Sequence, residues 1–446
     1  MRSIIIMQSS SPVIHGNHQS HYAPDAPPSE VAPGEIAVGV VIGRASEYFD
    51  FFVYGIASVL VFPAVFFPHM DPLQGILWSF AIFSLAFIAR PIGTIVSMWI
   101  QARWGRATKL TLALFGLGTC TVGIALLPGF NDIGVYAIAL LALLRLGQGA
   151  AVGASWDGLP SLLALNAPEH KRGWYAMVGQ LGAPVGFMIA AGLFAYIYSS
   201  LSFKDFIDWG WRYPFFAAFA LNVVALFARL RLVVTNEFER ELGDHELEPA
   251  NVAELMRDKG LHVWIGAAAA LASYALFHVV TIFPLSWMLL HSGQSVTDFL
   301  IMQVMGAFNA AGAIVLSGLI ADKLGRRTTL VIFAVAIVLF SLVAPWLLDA
   351  GTMGQYVFVL LGFVLLGFSY GQAAGSVTAN FGAKYRYTGA ALTSDLAWLI
   401  GAAFAPLIVL GLTAQYGLAV VSLYLISGAV CTMLALGINS YRNLQS

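Results

Sequence analysis

The chain is a succession of long apolar stretches cut by short polar or Gly- and Pro-containing breaks. A helix needs about 20 mostly apolar residues to cross a bilayer, and the sequence offers about twelve such stretches. The pattern predicts helices from about Glu35 to Phe62, Ile76 to Ile100, Leu110 to Leu127, Val135 to Leu165 and Trp174 to Tyr198. A sixth runs from the Trp-rich turn Asp208-Trp209-Gly210-Trp211-Arg212 to Leu232. After one long polar interruption, from Thr235 to Gly260, the scheme recurs from about His262 to Leu290, Phe299 to Ile320, Thr328 to Leu348, Tyr356 to Ala379, Thr388 to Leu412 and Leu418 to Asn439. The expected fold is an all-α membrane protein of about twelve transmembrane helices. Residues 1–34 would form a disordered tail, 35–234 a first six-helix bundle, 235–260 a solvated linker, 261–440 a second six-helix bundle and 441–446 a C-terminal tail.

Charge placement adds a direction. Lys and Arg concentrate in the loops that stay in the cytoplasm. Here they alternate: Arg103, Arg106 and Lys109, then Lys171 and Arg172, then Arg240, Arg257 and Lys259, then Lys323, Arg326 and Arg327, then Lys384 and Arg386. The opposite loops hold little beyond Lys204 and Arg212, so both termini and the linker are expected to be cytoplasmic.

Of the 446 residues, 59% are hydrophobic and 10% charged. A soluble domain carries about 25% charged residues, so water-soluble packing is excluded. Gly and Pro inside apolar stretches imply close helix contacts and local breaks, with Gly147-Ala151-Ala154-Gly158 and Gly182-Gly186 spaced for small-residue packing. Cys120 and Cys431 lie far apart in apolar stretches and are expected to form neither a disulfide nor a metal site. His15, His18 and His21 fall in the tail, where no scaffold would hold a metal. The basic clusters are explained by topology rather than by nucleic acid. The sequence has no His-Glu-x-x-His helix, phosphate-binding loop or Gly-x-Ser-x-Gly elbow, so neither an enzyme, a cofactor nor a nucleotide-driven pump is expected.

Candidate chemistry centres on the first stretch. Glu47 and Asp50 sit where lipid-facing side chains would be expected, and a carboxylate at mid-bilayer costs about 2.5–3.5 kcal/mol. With Tyr54 they fall at i, i+3 and i+7, on one helical face. Arg145, about 10 residues into the fourth stretch, lies about 15 Å deep. That depth matches the two acids, so a salt bridge or one-water link from Arg145 to Asp50 or Glu47 is expected, with Asp50 and Glu47 coupling protons. His278, deep in the seventh stretch, is a further proton-coupling candidate. Tyr54, Gln148, Gln180, Tyr274, Asn309 and Gln372 are candidate liners of a substrate cavity around Arg145. Arg90 is expected to snorkel or anchor a loop, and Asp395 to serve a cytoplasmic gate.

The two halves share a repeat. Gly105-Arg106-Ala107-Thr108-Lys109-Leu110 and Gly325-Arg326-Arg327-Thr328-Thr329-Leu330 follow the second helix of each half, and duplicated halves are a transporter signature. Here the chain resembles the major facilitator superfamily, and within it the metabolite:proton symporters of organic acids and zwitterions. The resemblance rests on Gly318-Leu319-Ile320-Ala321-Asp322-Lys323-Leu324-Gly325-Arg326-Arg327, on Arg145-Leu146-Gly147-Gln148-Gly149, on Glu47-Tyr48-Phe49-Asp50-Phe51 and on Arg90-Pro91-Ile92-Gly93. Arg172-Gly173-Trp174-Tyr175, Gln180-Leu181-Gly182-Ala183-Pro184, Trp211-Arg212-Tyr213-Pro214-Phe215 and Arg386-Tyr387-Thr388-Gly389 extend it along the chain.

The resemblance implies gating roles for Arg103, Gly105, Arg106, Gly318, Asp322, Gly325, Arg326 and Arg386, with Asp322 meeting a helix N-terminus in one access state. Two departures stand out. Met98 and Ala102 replace the family's Gly and Asp in the first-half loop, and Gly153-Ala154-Ser155-Trp156-Asp157 shifts the fourth-helix carboxylate by two positions, so its family role does not pass to Asp157. The expected function is proton-coupled import of a small organic acid or zwitterion, by a lipid-embedded monomer with metabolite and protons as its only partners. An uncoupled facilitator or exporter, or a non-transporting membrane sensor, stands as the alternative.

Overall fold

The structure is a computed structural model that describes residues 33–156, 168–233, 248–378 and 381–443. Twelve long helical stretches account for most of them. The first six are α1, Pro33–Leu60; α2, Pro72–Trp104; α3, Arg106–Ala125; α4, Val135–Ala154; α5, Arg172–Ser200; and α6, Tyr213–Val233. The second six are α7, Val252–His291; α8, Val296–Leu324; α9, Arg326–Asp349; α10, Gly351–Thr378; α11, Lys384–Tyr416; and α12, Ala419–Asn443. Eleven are long and apolar enough to cross a membrane. The remaining one, α1, has the length, 28 residues, but carries Arg44, Glu47 and Asp50.

Two expectations shift at the boundaries. The helix expected to reach Leu165 ends at Ala154; Asp157 and Gly158 lie outside the described residues, as do the tail histidines. The solvated linker is shorter than its charge pattern suggests, because α7 begins at Val252, capped by the Asn251 side chain on the Ala253 and Glu254 amides. Its charged first turns turn toward α11, where Glu254 meets Lys384 at 2.5 Å and the Tyr385 hydroxyl donates to Asp258 at 2.8 Å. Nothing in a polarity profile separates such a solvated helix from a loop.

The first helix of each half occupies the centre. The apolar window of α7 is 94% buried, against 33–56% in the other candidate spans, and α1 is buried almost continuously from Ala45 to Leu60. Within lipid no hydrophobic force drives helices together, so close approach through small residues does. Gly182 and Gly186 of α5 lie against the α1 backbone between Arg44 and Phe49, as expected. Gly147 of α4 meets Cys120 of α3, while Gly149 and Gly153 press on the α2 backbone at Ala86 and Arg90.

The halves join along two equivalent seams, α5 with α8 and α2 with α11. The repeat also has a shared backbone role. Gly105 and Gly325 end α2 and α8 at φ 84° and 82°, and their amides return to Gln101 and Ala321.

Candidate functional site

Asp50 is buried on α1 and held by three neutral donors. The Thr121 hydroxyl of α3 lies 2.7 Å and the Asn222 amide of α6 2.9 Å from Oδ2, and Gln148 Nε2 of α4 lies 3.1 Å from Oδ1. The expected ion pair with Arg145 is absent. Instead Gln148 stands between them, its Oε1 accepting from Arg145 Nη1 at 3.1 Å while its amide donates to Asp50. Gln148, expected only as a cavity liner, is the link between acid and base.

The Arg145 guanidinium is otherwise bound by aromatic faces. Its carbon lies 3.9 Å from the Tyr54 ring centre and 4.8 Å from that of Phe83, and Nε donates to the Phe83 carbonyl at 3.2 Å. Nη2 is buried without a hydrogen-bond partner among the described residues. A small cavity adjoins these groups, lined by Glu47, Asp50, Phe51, Arg90, Arg145 and Gln148 among others. The acids and the guanidinium therefore share one hollow, but every lining residue belongs to the first half. A second hollow lies between the halves, lined by Phe52 and Phe187 of the first and Phe277, Ile314 and Phe363 of the second among others.

Glu47 takes no part in an Arg145 pair either. Arg44 Nη1 reaches Oε2 at 2.9 Å, and Arg229 Nη2 and the Ser155 hydroxyl reach Oε1 at 2.8 and 2.7 Å. Arg229 of α6 was not read from the sequence. Its only signal is an arginine placed before the end of an apolar stretch, where an edge-seeking side chain looks identical. Gly43 makes room for it, since a Cβ there would strike the guanidinium.

The second-half residues divide. His278 is fully buried, with Nδ1 3.5 Å from the Thr281 hydroxyl and Nε2 unpartnered among the described residues. It makes no hydrogen bond to Asp50 or Glu47, so no proton relay connects them here. Its ring stacks on Phe51 at 5.2 Å and meets Phe83 at 5.4 Å edge-on. Tyr274 packs on Tyr370 and Trp398. Gln180 is buried beside α1 with Oε1 unpartnered among the described residues. Two expected cavity liners are elsewhere. Asn309 is exposed on the outer face of α8, because an all-apolar helix gives no phase to its pattern. Gln372 donates to the Gly173 carbonyl at 3.2 Å, tying the halves together.

The gating residues gather along the seams. Asp322 accepts from the Gly173 and Trp174 amides at 2.7 and 3.3 Å, a carboxylate on the first turn of α5, as the resemblance implies. Gly318 and Gly173 permit that approach. On the other seam Ala102 offers no carboxylate. There the Tyr387 hydroxyl accepts from Lys109 Nζ at 2.7 Å and donates to the Trp156 carbonyl at 2.8 Å, with Gln101 Oε1 within 3.2 Å as the alternative acceptor. Arg106 lies over the same ring at 6.0 Å. Arg326 and Arg386 are half-buried near these loops, and Arg103 is exposed beside Trp104.

Arg90 does not snorkel. It is buried, and Nε lies 2.7 Å from Asp395 across the α2–α11 seam, with the Thr94 hydroxyl 2.5 Å from the other carboxylate oxygen.

Paired buried charges, duplicated halves and helices of bilayer length define a multi-pass membrane transport protein. The sequence profile of the Major Facilitator Superfamily matches residues 133–406. The chain is 35% identical to the inner membrane metabolite transport protein YhjE of Escherichia coli over 94% of its own length and 96% of that protein's. It is 30% identical to the shikimate transporter of the same organism, over 88% and 91%, and 27% identical to its proline/betaine transporter, over 80% and 74%. The fold also matches the proton:xylose symporter XylE, with a TM-score of 0.68 at 17% identity, over 91% and 94% of the two chains. The chain belongs to the Major Facilitator Superfamily, a family of transporters rather than enzymes.

Proposed function

We propose that the protein couples proton entry to import of a small organic acid or zwitterionic metabolite, exposing one site alternately to either side of the membrane. The observation that carries this reading is Gln148, which joins Asp50 and Arg145 beside the cavity they line. A substrate carboxylate would take Arg145 bidentately through Nη2 and draw it from Gln148. With the guanidinium compensated by substrate, less positive field holds Asp50 ionised, and a proton binds with the cargo. Relatives that carry shikimate or proline and betaine support a substrate bearing a carboxylate. The chain would act as two six-helix units, 35–234 and 261–440, with linker and termini cytoplasmic, in a membrane such as the bacterial inner membrane.

Uptake into proteoliposomes under an imposed pH gradient, across a panel of organic acids and zwitterions, tests it. Gradient-driven accumulation of a carboxylate-bearing compound is expected, and Asp50→Asn should abolish it while sparing exchange. Equal flux with and without the gradient would favour an uncoupled carrier, a reading consistent with Ala102 at the usual acidic position. No flux of any compound would leave a sensor.

A further inference from the structure

Among the buried nitrogens without hydrogen-bond partners among the described residues, Arg145 Nη2 and His278 Nε2 come from opposite halves and belong to residues that pack on the same rings. Such groups are rare in folded proteins and each calls for a physical reason. The same two rings touch both residues. Phe83 lies 4.8 Å from the guanidinium carbon and 5.4 Å from the imidazole centre; Phe51 lies 5.8 and 5.2 Å from them. Both residues, one from each half, therefore pack against the same pair of rings. Next to His278 the α7 helix is broken before Pro284, where Gln303 of α8 binds the Thr281 carbonyl at 2.8 Å. A proline without an N–H interrupts the helical ladder and leaves a point that can bend.

We infer that His278 is the second half's substrate ligand, and that the Phe51 and Phe83 rings stand in the substrate's place between it and Arg145. The inference rests on the transport reading and deepens it. The substrate class that follows is a compact molecule with a carboxylate at one end for Arg145 and a hydroxyl, carbonyl or second carboxylate at the other for the imidazole. Such a molecule bridges the halves, which a simple monocarboxylate cannot do. His278 is then a specificity-determining residue, distinct from the proton site at Asp50.

The test begins from the two cysteines of the sequence. In a Cys120→Ser, Cys431→Ser background, His278→Cys is exposed in vesicles to a water-soluble methanethiosulfonate, with Ala107→Cys on the exposed start of α3 as control. Labelling of residue 278 under a pH gradient, slowed by compounds the protein carries, is expected. In parallel, His278→Ala should raise the half-saturation concentration about tenfold for carboxylates with a second polar group, the scale of one lost hydrogen bond to a charged or polar ligand. It should leave the maximal rate and the monocarboxylates unchanged, and His278→Gln should restore part of the loss. His278→Gln also serves alone should the alanine variant not fold. Residue 278 staying unlabelled while the control reacts, or a uniform fall in maximal rate for every compound, overturns the inference while leaving proton-coupled uptake standing. Absence of carriage by the wild-type protein, with labelling indifferent to every compound, overturns the transport reading and this inference with it.

Discussion

Replacing Asp395 by Asn should loosen the α2–α11 seam. Arg90 and Asp395 are both buried, 2.7 Å apart, and one belongs to each half. Removing one member of a buried pair costs about 3–5 kcal/mol because the other is left uncompensated. Asparagine keeps an oxygen for Thr94 or Arg90, so the lower figure applies. If the pair exists only while the halves are closed, that cost falls on the closed state alone. At about 1.4 kcal/mol per factor of ten, about 3 kcal/mol shifts the balance by about a hundredfold. A population at about 99:1 in favour of closure would move close to parity. Spin labels at Ala107 and Thr328, exposed starts of α3 and α9 on opposite halves, report this by pulsed dipolar spectroscopy. A second, longer distance should appear in Asp395→Asn and be smaller in Thr94→Val, which loses only the hydroxyl contact. An unchanged distance distribution in Asp395→Asn would show that the pair does not hold the halves together.

Asp322→Ala removes a carboxylate from the first turn of α5, an interaction worth about 0.3–1 kcal/mol when exposed and up to about 2 when partly buried; the same labels should show a smaller opening than in Asp395→Asn. Gly325→Ala places a Cβ at φ 82° and should cost about 1–2 kcal/mol, read as a lowered midpoint of thermal unfolding in detergent. Glu47→Gln weakens the buried pairs with Arg44 and Arg229 and should lower that midpoint further, by the equivalent of about 3 kcal/mol, whereas Asp349→Asn at the exposed end of α9 should leave it unchanged.

The architecture was legible because each of its signals is local. Length and polarity mark the helices, and Gly105 and Gly325 announce matching ends because only glycine sits comfortably at positive φ. Asp322 was legible through the ordered motif around it. What could not be read is partnership across distance. Arg90 and Asp395 are separated by 305 positions, and nothing near either names the other. Gln148 was visible as a polar residue at the correct depth, yet its place between Asp50 and Arg145 depends on how α4 is rotated against α1. Arg229 went unseen for the same reason, and Asn309 was misassigned because an apolar neighbourhood on every side conceals which face looks inward.

The two seams are fastened by different materials. Between α2 and α11 the ties include a full ion pair, beside the Ser84 hydroxyl on the Ala403 carbonyl; between α5 and α8 a carboxylate grips main-chain amides where glycines let the helices touch. Water can part the charges of the former, while the latter adds to its one carboxylate a close approach of backbones that glycines set. A rocking motion would therefore swing like a door, with α5 and α8 as its hinge post and α2 and α11 as the latch side, so the first water to enter should arrive from Arg90's flank.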